Sequence, residues 1–216
     1  MVAALRELAE AGLNQGTSGN VSVRVGDGLL ISPSGVGPRD LSATDVVELH
    51  ASGEVREGRL KPSSEWRFHR DILADRPDAG AVVHVHSPHA TALACLRRAI
   101  PPFHYLVALA GGDDIRVADY ATFGTQALSD NILQALEDRK ACLIANHGLA
   151  ALGRDLPGAL ALTREVENLA RQYLLALSVG EPALLGPEEM AAVRARIGSY
   201  GPAPSEGAES GEEGAP

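Results

Sequence analysis

One short apolar segment constrains this chain more than any other part of its sequence. The run Ala81-Val82-Val83-His84-Val85-His86 is rich in β-branched residues and too short for a typical helix. We therefore predict a strand, in which His84 and His86 project from the same face at a spacing of roughly 6.5 Å. A third histidine, His147, follows later within Asn146-His147-Gly148. Three histidine ligands that leave one position open are typical of catalytic zinc sites.

Two other interpretations of the histidine pair have to be weighed. A single strand histidine is more often packed or hydrogen-bonded than bound to metal, but burying two same-face imidazoles without partners costs free energy that a metal bond offsets. The spacing of His84, His86 and His89 also partly matches the His-x-His-x-Asp-His signature of metallo-β-lactamase-like hydrolases. Pro88 stands where that signature has its aspartate. The missing ligand argues against the hydrolase interpretation.

Length and charge indicate one domain with an acidic tail. A chain of 216 residues that is 45% hydrophobic suits a single core, which we assign to residues 1–201. Residues 202–216 are rich in Gly, Pro and Glu and lack apolar periodicity, as in a solvated tail. Four glutamates in this tail account for part of the formal net charge of −9. A chain with this acidic balance is not expected to bind nucleic acid.

The cysteines and the apolar segments indicate the compartment. Cys95 and Cys142 sit in apolar surroundings without metal-site spacing, so we predict that both are buried in a protein of a reducing compartment. No stretch approaches the roughly 18 uninterrupted apolar residues of a membrane span. We expect a cytoplasmic protein with no membrane partner.

Helical and strand patterns interleave along the chain. Their hairpin-type connections and amphipathic helices favour an α/β fold, a three-layer α/β/α arrangement in which a central, largely antiparallel sheet is covered by helices on both faces. The helices are predicted at 2–11, 64–74, 88–96, 125–136, 155–178 and 187–197, and the strands at 21–25, 29–32, 46–49, 81–86, 105–109, 115–119, 142–146 and 149–152.

Three polar segments are candidates for binding an anion. Ser63 and Ser64 lie where a predicted helix begins, and its N-terminus offers unpaired N–H groups, although ordinary N-capping is the simpler explanation of serines there. The glycine-rich segments 16–20 and 32–37 carry hydroxyl side chains and could approach a phosphate closely. Glu65 would then lie where a base acting on a phosphosugar carbon belongs, while a favourable interaction with the helix dipole is the commoner reason for such a glutamate.

Together these segments resemble the class II aldolase/adducin family over nearly all of residues 12–201. The most specific matches are Gly12-Leu13-Asn14-Gln15-Gly16-Thr17-Ser18-Gly19-Asn20-Val21-Ser22-Val23, Pro62-Ser63-Ser64-Glu65-Trp66-Arg67-Phe68-His69, His84-Val85-His86, Ala118-Asp119-Tyr120-Ala121-Thr122-Phe123-Gly124-Thr125 and His147-Gly148-Leu149.

The resemblance implies a metal centre and a phosphate site. His84, His86 and His147 would bind one Zn²⁺ per subunit, and Glu65 would complete the metal shell without substrate and act as the catalytic base. His69, one turn after Glu65, could orient it, but packing is the simpler interpretation. The implied phosphate ligands are Gly19, Asn20, Ser34, Gly35, Ser63 and Ser64.

The resemblance also implies the reaction and the assembly. Tyr105 would reach a neighbouring subunit's site and exchange a proton with the aldehyde oxygen, and Tyr200 would be a second tyrosine of that site. The expected protein is a homotetramer with active sites at subunit interfaces. Its expected reaction is the reversible cleavage of L-fuculose 1-phosphate, or a similar ketose 1-phosphate, to dihydroxyacetone phosphate and an aldehyde, L-lactaldehyde in the case of L-fuculose 1-phosphate.

Other branches of the family remain alternatives. L-ribulose-5-phosphate 4-epimerases carry an aspartate in the stretch corresponding to 100–112, where this chain has no carboxylate. Methylthioribulose-1-phosphate dehydratases are not excluded by this difference. A non-catalytic, adducin-like binding module is disfavoured by the retained histidines and Glu65, and a structural zinc site would usually be cysteine-rich. Manganese, cobalt or iron would suit the same ligands, and the physiological ketose phosphate stays open.

Overall fold

The computed structural model describes residues 1–197, so Tyr200 and the predicted tail at 202–216 lie outside the described residues. The described chain has an α/β fold built around one eight-stranded sheet. The strands are β1 (Asn20–Val25), β2 (Gly28–Ile31), β3 (Val47–Leu49), β4 (Val55–Glu57), β5 (Ala81–Val85), β6 (Val117–Ala118), β7 (Ala141–Ile144) and β8 (Gly148–Gly153).

The sheet is mixed but largely antiparallel, as predicted. Its strand order is β4-β3-β2-β1-β5-β8-β7-β6, and only the β6–β7 pair is parallel. The histidine strand β5 lies in the middle, between β1 and β8. In this register His84 pairs with Asn20 on one side and with Ala150 on the other. The sheet therefore brings residues from distant parts of the sequence beside His84.

Helices pack against both hydrophobic clusters of the sheet. Val83 belongs to a cluster with residues of four helices, whereas its neighbour Val82 belongs to a second cluster with Phe68 and Ile132 of two other helices. This alternation is expected for a strand buried on both faces. It supports the predicted three-layer arrangement, which stays a prediction. The helices are α1 (Val2–Glu10), α2 (Trp66–Asp75), α3 (Pro88–Cys95), α4 (Gln126–Ala135), α5 (Leu156–Val179) and α6 (Pro187–Ile197).

Two local predictions were wrong. The segment predicted as a strand at 105–109 is a 3-10 helix, Tyr105–Ala110, whose first turn is capped by the ring of His104, since its Nδ1 accepts from the Leu106 N–H at 3.2 Å. A short apolar run without alternation does not distinguish a strand from a helical turn. Cys142 is buried as predicted, but Cys95 is exposed at the end of α3, because only one side of that helix packs on the sheet.

The helix that carries the catalytic candidates begins later than predicted. It starts at Trp66, and Glu65 occupies the N-cap position without making a side-chain cap bond. The hydroxyl of Ser63 accepts a hydrogen bond from the Glu65 N–H at 3.3 Å. Glu65 therefore keeps its carboxylate free for the interior. Among residues 1–197, no helix combines the length and the hydropathy needed to cross a membrane.

Candidate metal centre and phosphate pocket

His84 is fully buried at the centre of the sheet and its ring is held by the neighbouring strand. Its Nδ1 lies 2.8 Å from the carbonyl oxygen of Leu149 on β8. A carbonyl only accepts, so Nδ1 carries the proton and Nε2 keeps its lone pair. This arrangement, in which one ring nitrogen donates to a backbone carbonyl, is the usual way to orient a histidine that binds metal.

His86 follows directly after β5 and projects from the same face as His84. Two residues along a strand are roughly 6.5 Å apart, but the two rings turn toward each other and their Nε2 atoms lie only 3.0 Å apart. The backbone N–H of His86 donates to the side-chain oxygen of Asn14 at 3.0 Å. Asn14 therefore fixes the backbone of His86 directly after the end of β5.

His147 reaches the same point from a tight turn between β7 and β8. Asn146 has a left-handed backbone with φ +56°, a conformation that asparagine adopts more readily than most residues. A Cβ atom at Gly148 would lie 2.3 Å from the carbonyl oxygen of Val85, so only glycine allows this turn to approach β5. The close approach brings the Nε2 atom of His147 to 3.2 Å from Oε1 of Glu65.

Glu65 completes a cluster of four possible metal ligands. Its Oε2 lies 3.3 Å from Nε2 of His84, and the ligand atoms of Glu65, His84, His86 and His147 all lie within 4.8 Å of one another. The Oε1 atom is buried and has no hydrogen-bond donor. A buried carboxylate oxygen without a donor needs a compensating positive charge. Three imidazoles and one carboxylate therefore fit a divalent cation such as zinc.

The protonation states of the cluster also suit a cation. Burial acts to raise the pKa of Glu65, but the adjacent His84 and His147 and the amide of Asn20 outweigh it and hold this pKa below its usual range. Burial, together with the neighbouring His84, lowers the pKa of His86 and of His147 to about 4. At neutral pH the carboxylate is ionised and these two imidazoles are neutral, which are the forms that bind metal.

A pocket of about 340 Å³ opens above this cluster. Glu65, His86 and His147 lie on its lining. All of the predicted phosphate ligands line the same pocket, so the fold brings together the segments that the sequence analysis singled out. These residues are Gly19, Asn20, Ser34, Gly35, Ser63 and Ser64.

Backbone geometry explains how two of the loops meet at the pocket. Gly19 has φ +73°, and a Cβ atom there would lie 2.3 to 2.6 Å from the side-chain amide of Asn14. The second loop is tied to the serines before α2, because the Ser34 N–H donates to the Lys61 carbonyl and the Ser63 N–H donates to the Ser32 carbonyl, each at 3.0 Å. These contacts hold the two glycine-containing loops and the serines before α2 together on the lining of one pocket.

Comparison with known proteins agrees with this architecture. Residues 1–174 match the sequence model described as the Class II Aldolase and Adducin N-terminal domain. The chain belongs to this family. The class II aldolase fold is also found in a solved L-fuculose 1-phosphate aldolase, which superposes with a TM-score of 0.89 at 40% identity and covers 91% of this chain and 93% of that chain.

Two curated relatives of this class II aldolase family member are named for different sugar phosphates. A 5-methylthioribulose-1-phosphate/5-deoxyribulose-1-phosphate aldolase from Rhodospirillum rubrum is 56% identical over 201 residues, 93% of this chain and 90% of that protein. An L-fuculose phosphate aldolase from Escherichia coli strain K12 is 48% identical over 196 residues, 90% of this chain and 91% of that protein. The comparisons therefore establish the family, whereas the relatives differ in the substrate for which they are named.

Among the described residues, the predicted catalytic tyrosine Tyr105 is not on the lining of this pocket. Tyr105 is 51% exposed on the 3-10 helix, and Tyr200 lies outside the described residues. Two other aromatic residues do line it, Tyr120 and Phe123, which are 57% and 64% exposed. Sequence reasoning included this segment in the family match but gave its aromatic residues no role.

The loop that carries these aromatics is attached to the helix that follows Glu65. Arg67 of α2 donates to the carbonyl of Gly124 at 2.8 Å. Gly124 has φ +75°, and a Cβ atom there would lie 2.7 Å from the carbonyl oxygen of Ser64. The loop that carries Tyr120 and Phe123 therefore packs closely against the segment of the candidate phosphate-binding serines. Asn14, which holds the His86 backbone, was likewise missed, because its role depends on contacts distant in sequence.

Proposed function

We propose that this protein is a zinc-dependent aldolase that cleaves a ketose 1-phosphate between C3 and C4 into dihydroxyacetone phosphate and an aldehyde. The main support for this proposal is the position of the possible metal ligands relative to the pocket. The cluster of His84, His86, His147 and Glu65 lies beside the same pocket that all of the candidate phosphate ligands line. A phosphate and a reacting carbon of one small sugar could therefore be held at the same time.

Zinc bound by the three histidines would supply a Lewis acid that stabilises negative charge developing on the carbonyl oxygen of the sugar. The chain's own residues then move the protons. In the synthetic direction the ionised Glu65 carboxylate removes a proton from C3 of dihydroxyacetone phosphate, and this carbon forms the bond to the aldehyde carbon. A tyrosine O–H donates a proton to the aldehyde oxygen. Cleavage is the reverse sequence, in which protonated Glu65 returns its proton to C3.

We assign the tyrosine to Tyr105 of a neighbouring subunit and infer a homotetramer with active sites at the interfaces. The support is that half of the Tyr105 side chain is exposed while this residue does not line the pocket of its own chain. In such an assembly, the pocket of one chain lacks the proton-donating tyrosine until a neighbouring subunit supplies it. Tyr200 is proposed as a second contributor, and the family resemblance alone supports it.

For the substrate we propose 5-deoxyribulose 1-phosphate and its 5-methylthio analogue ahead of L-fuculose 1-phosphate. The support is the higher identity to the Rhodospirillum rubrum aldolase. The exposed rings of Tyr120 and Phe123 on the pocket wall suit the aldehyde halves of all three candidates, since each ends in a methyl or methylthio group, so the order of the candidates rests on sequence identity. L-fuculose 1-phosphate is the second candidate, because the solved L-fuculose 1-phosphate aldolase has a closely similar fold.

A comparison of kcat/KM for the three ketose phosphates tests the substrate. Dihydroxyacetone phosphate release is followed with a coupled reductase, and the sugar products are analysed in parallel. We expect the two 5-deoxy substrates to exceed L-fuculose 1-phosphate. Higher kcat/KM for L-fuculose 1-phosphate would reverse this order. A product that keeps the whole carbon skeleton, either dehydrated or epimerised, would contradict the aldolase reaction itself.

A further inference from the structure

A fully buried histidine on α2 is not used by the proposed reaction but is connected to its base. His69 is inaccessible to solvent, and its Nδ1 lies 2.7 Å from the hydroxyl oxygen of Ser22 on β1. Its Nε2 contacts the side-chain oxygen of Asn20, two residues earlier on the same strand face. The Asn20 NH₂ group donates to Oε2 of Glu65 at 2.9 Å. A continuous hydrogen-bonded chain thus runs from Ser22 through His69 and Asn20 to Glu65.

Only one arrangement of protons satisfies every member of this chain. An ionised carboxylate only accepts, so the NH₂ group of Asn20 has to face Glu65 and its oxygen has to face His69. The oxygen also only accepts, so Nε2 of His69 carries the ring proton. The other ring nitrogen then accepts from the Ser22 hydroxyl. The tautomer follows from the network and not from the ring alone.

The surroundings of His69 keep this arrangement in place. Burial, together with the nearby His84, lowers the pKa of His69 to about 3, so the ring has a single proton to donate at neutral pH. Phe68 stacks on the His69 ring with centroids 4.5 Å apart. The β1–β5 register places Asn20 directly beside His84. The amide therefore sits between a rigid buried donor and the metal-binding cluster.

We propose that His69 is a positioning residue for Glu65 that acts through Asn20. This inference rests on the proposed role of Glu65 as the base. Without the Nε2–H donor, the buried oxygen of Asn20 loses its partner and the amide is no longer held in place, so its hydrogen bond to the Glu65 carboxylate weakens. The amide of Asn20 reaches both side chains because His69 lies one turn after Glu65 and because β1 places Asn20 between them.

The test compares two replacements of His69 with a matched control. His69→Phe keeps a planar ring of similar size but removes the donor, whereas His69→Gln has an amide nitrogen that can reach the position of Nε2. Ser129→Ala is the control, because it removes a buried hydroxyl that donates to Asp71 of α2 at 2.6 Å and has no connection to Glu65. All proteins are loaded with zinc, and metal content and thermal unfolding are measured on each.

The primary readout is the exchange of the C3 proton of dihydroxyacetone phosphate with deuterium from solvent, followed by NMR as a function of pH. For His69→Phe we expect exchange to slow by about tenfold or more, the effect of losing one hydrogen bond to a charged group, and its acid limb to move to higher pH. His69→Gln should recover most of the rate, and Ser129→Ala should match wild type. A folded, zinc-loaded His69→Phe with wild-type rate and acid limb would overturn the proposal.

A second readout does not depend on turnover. Cobalt affinity is measured by competition with a chelator for wild type, His69→Phe, Glu65→Gln and the double variant. If His69 acts through Glu65, the loss caused by His69→Phe should largely disappear in the Glu65→Gln background. Fully additive losses would overturn the proposal. If wild type itself exchanges no proton, the proposed function fails. The comparison of the four cobalt affinities, a double-mutant cycle, still decides whether His69 positions Glu65.

A folding defect in His69→Phe would not prevent the test. Ser22→Ala removes only the hydroxyl that donates to Nδ1, so we expect the same direction of change in exchange rate and acid limb at a smaller size. The cobalt cycle is then repeated with Ser22→Ala in place of His69→Phe. No change in either measurement would contradict the proposed chain of hydrogen bonds.

Discussion

Asn20 and His84 lie opposite each other in the β1–β5 pairing and both contact the same oxygen of Glu65. The Asn20 amide nitrogen is 2.9 Å and the His84 Nε2 is 3.3 Å from Oε2. The sheet register therefore places a neutral donor and a metal-binding nitrogen around one carboxylate. The Asn20 N–H group favours the ionised carboxylate, and the lone pair of the His84 nitrogen is directed at the same place, so the two groups suit a cation bound between them.

Glu65→Gln should separate metal binding from proton transfer. The three histidines remain, so the variant should still bind one zinc per chain at saturation, but glutamine cannot accept the C3 proton. We expect turnover to fall by about 100-fold or more, the usual contribution of a general base. Metal analysis and steady-state kinetics on the same preparation check this. Undiminished turnover would remove Glu65 from the reaction.

Gly19→Ala should damage the pocket, and Gly16→Ala provides its control. Both glycines have a left-handed backbone, but a Cβ atom meets the Asn14 amide only at Gly19 and meets nothing within 4 Å at Gly16. Each substitution should lower the free energy of unfolding by about 1 to 2 kcal/mol through the strained φ. Only Gly19→Ala should raise KM, by about tenfold. Equal KM values for folded Gly19→Ala and folded Gly16→Ala would argue against Gly19 as part of the substrate site.

Acid should destabilise the metal-free protein through His69. The imidazole has an ordinary pKa of 6.5, which burial lowers to about 3 in the folded chain. As the pH falls below 6.5, the unfolded chain takes up a proton that the folded chain does not bind until about pH 3. The stabilisation is complete above this window and is lost as the pH falls through it.

Urea unfolding of chelator-treated protein measures this effect. Between about pH 6 and about pH 4 the wild-type free energy of unfolding should decrease more steeply than that of His69→Gln, by up to about 1.4 kcal/mol per pH unit. The other buried histidines affect both proteins equally, so the difference isolates His69. Parallel pH dependences would show that His69 is not held neutral by the fold.

The cluster of possible metal ligands was the most predictable part of the candidate site. His84 and His86 share a strand, and two-residue spacing alone places their nitrogens on one face. His147 was predicted as a third ligand before the resemblance was considered, whereas the approach of Glu65 and the phosphate loops to the histidines became expected only through the family resemblance, since each comes from a different part of the chain. The largely antiparallel sheet followed from the interleaved patterns, whereas its strand order did not.

Features that depend on particular side-chain contacts escaped prediction. The run after His104 forms a 3-10 helix because the His104 ring caps it, a contact that apolar composition does not reveal. His69 was assigned a packing role, but its neighbours Ser22 and Asn20 are brought to it by the sheet. Helix periodicity places His69 near Glu65 and cannot show which group lies between them.

The most direct test of the account is the release of dihydroxyacetone phosphate from 5-deoxyribulose 1-phosphate by the purified protein, with chelator and with zinc added back. We predict release by the zinc-loaded protein, its loss after chelation and its recovery with zinc. Release that survives complete metal removal would contradict the zinc-dependent mechanism. No release from this substrate or from L-fuculose 1-phosphate, by protein with one zinc per chain, would contradict the proposed aldolase.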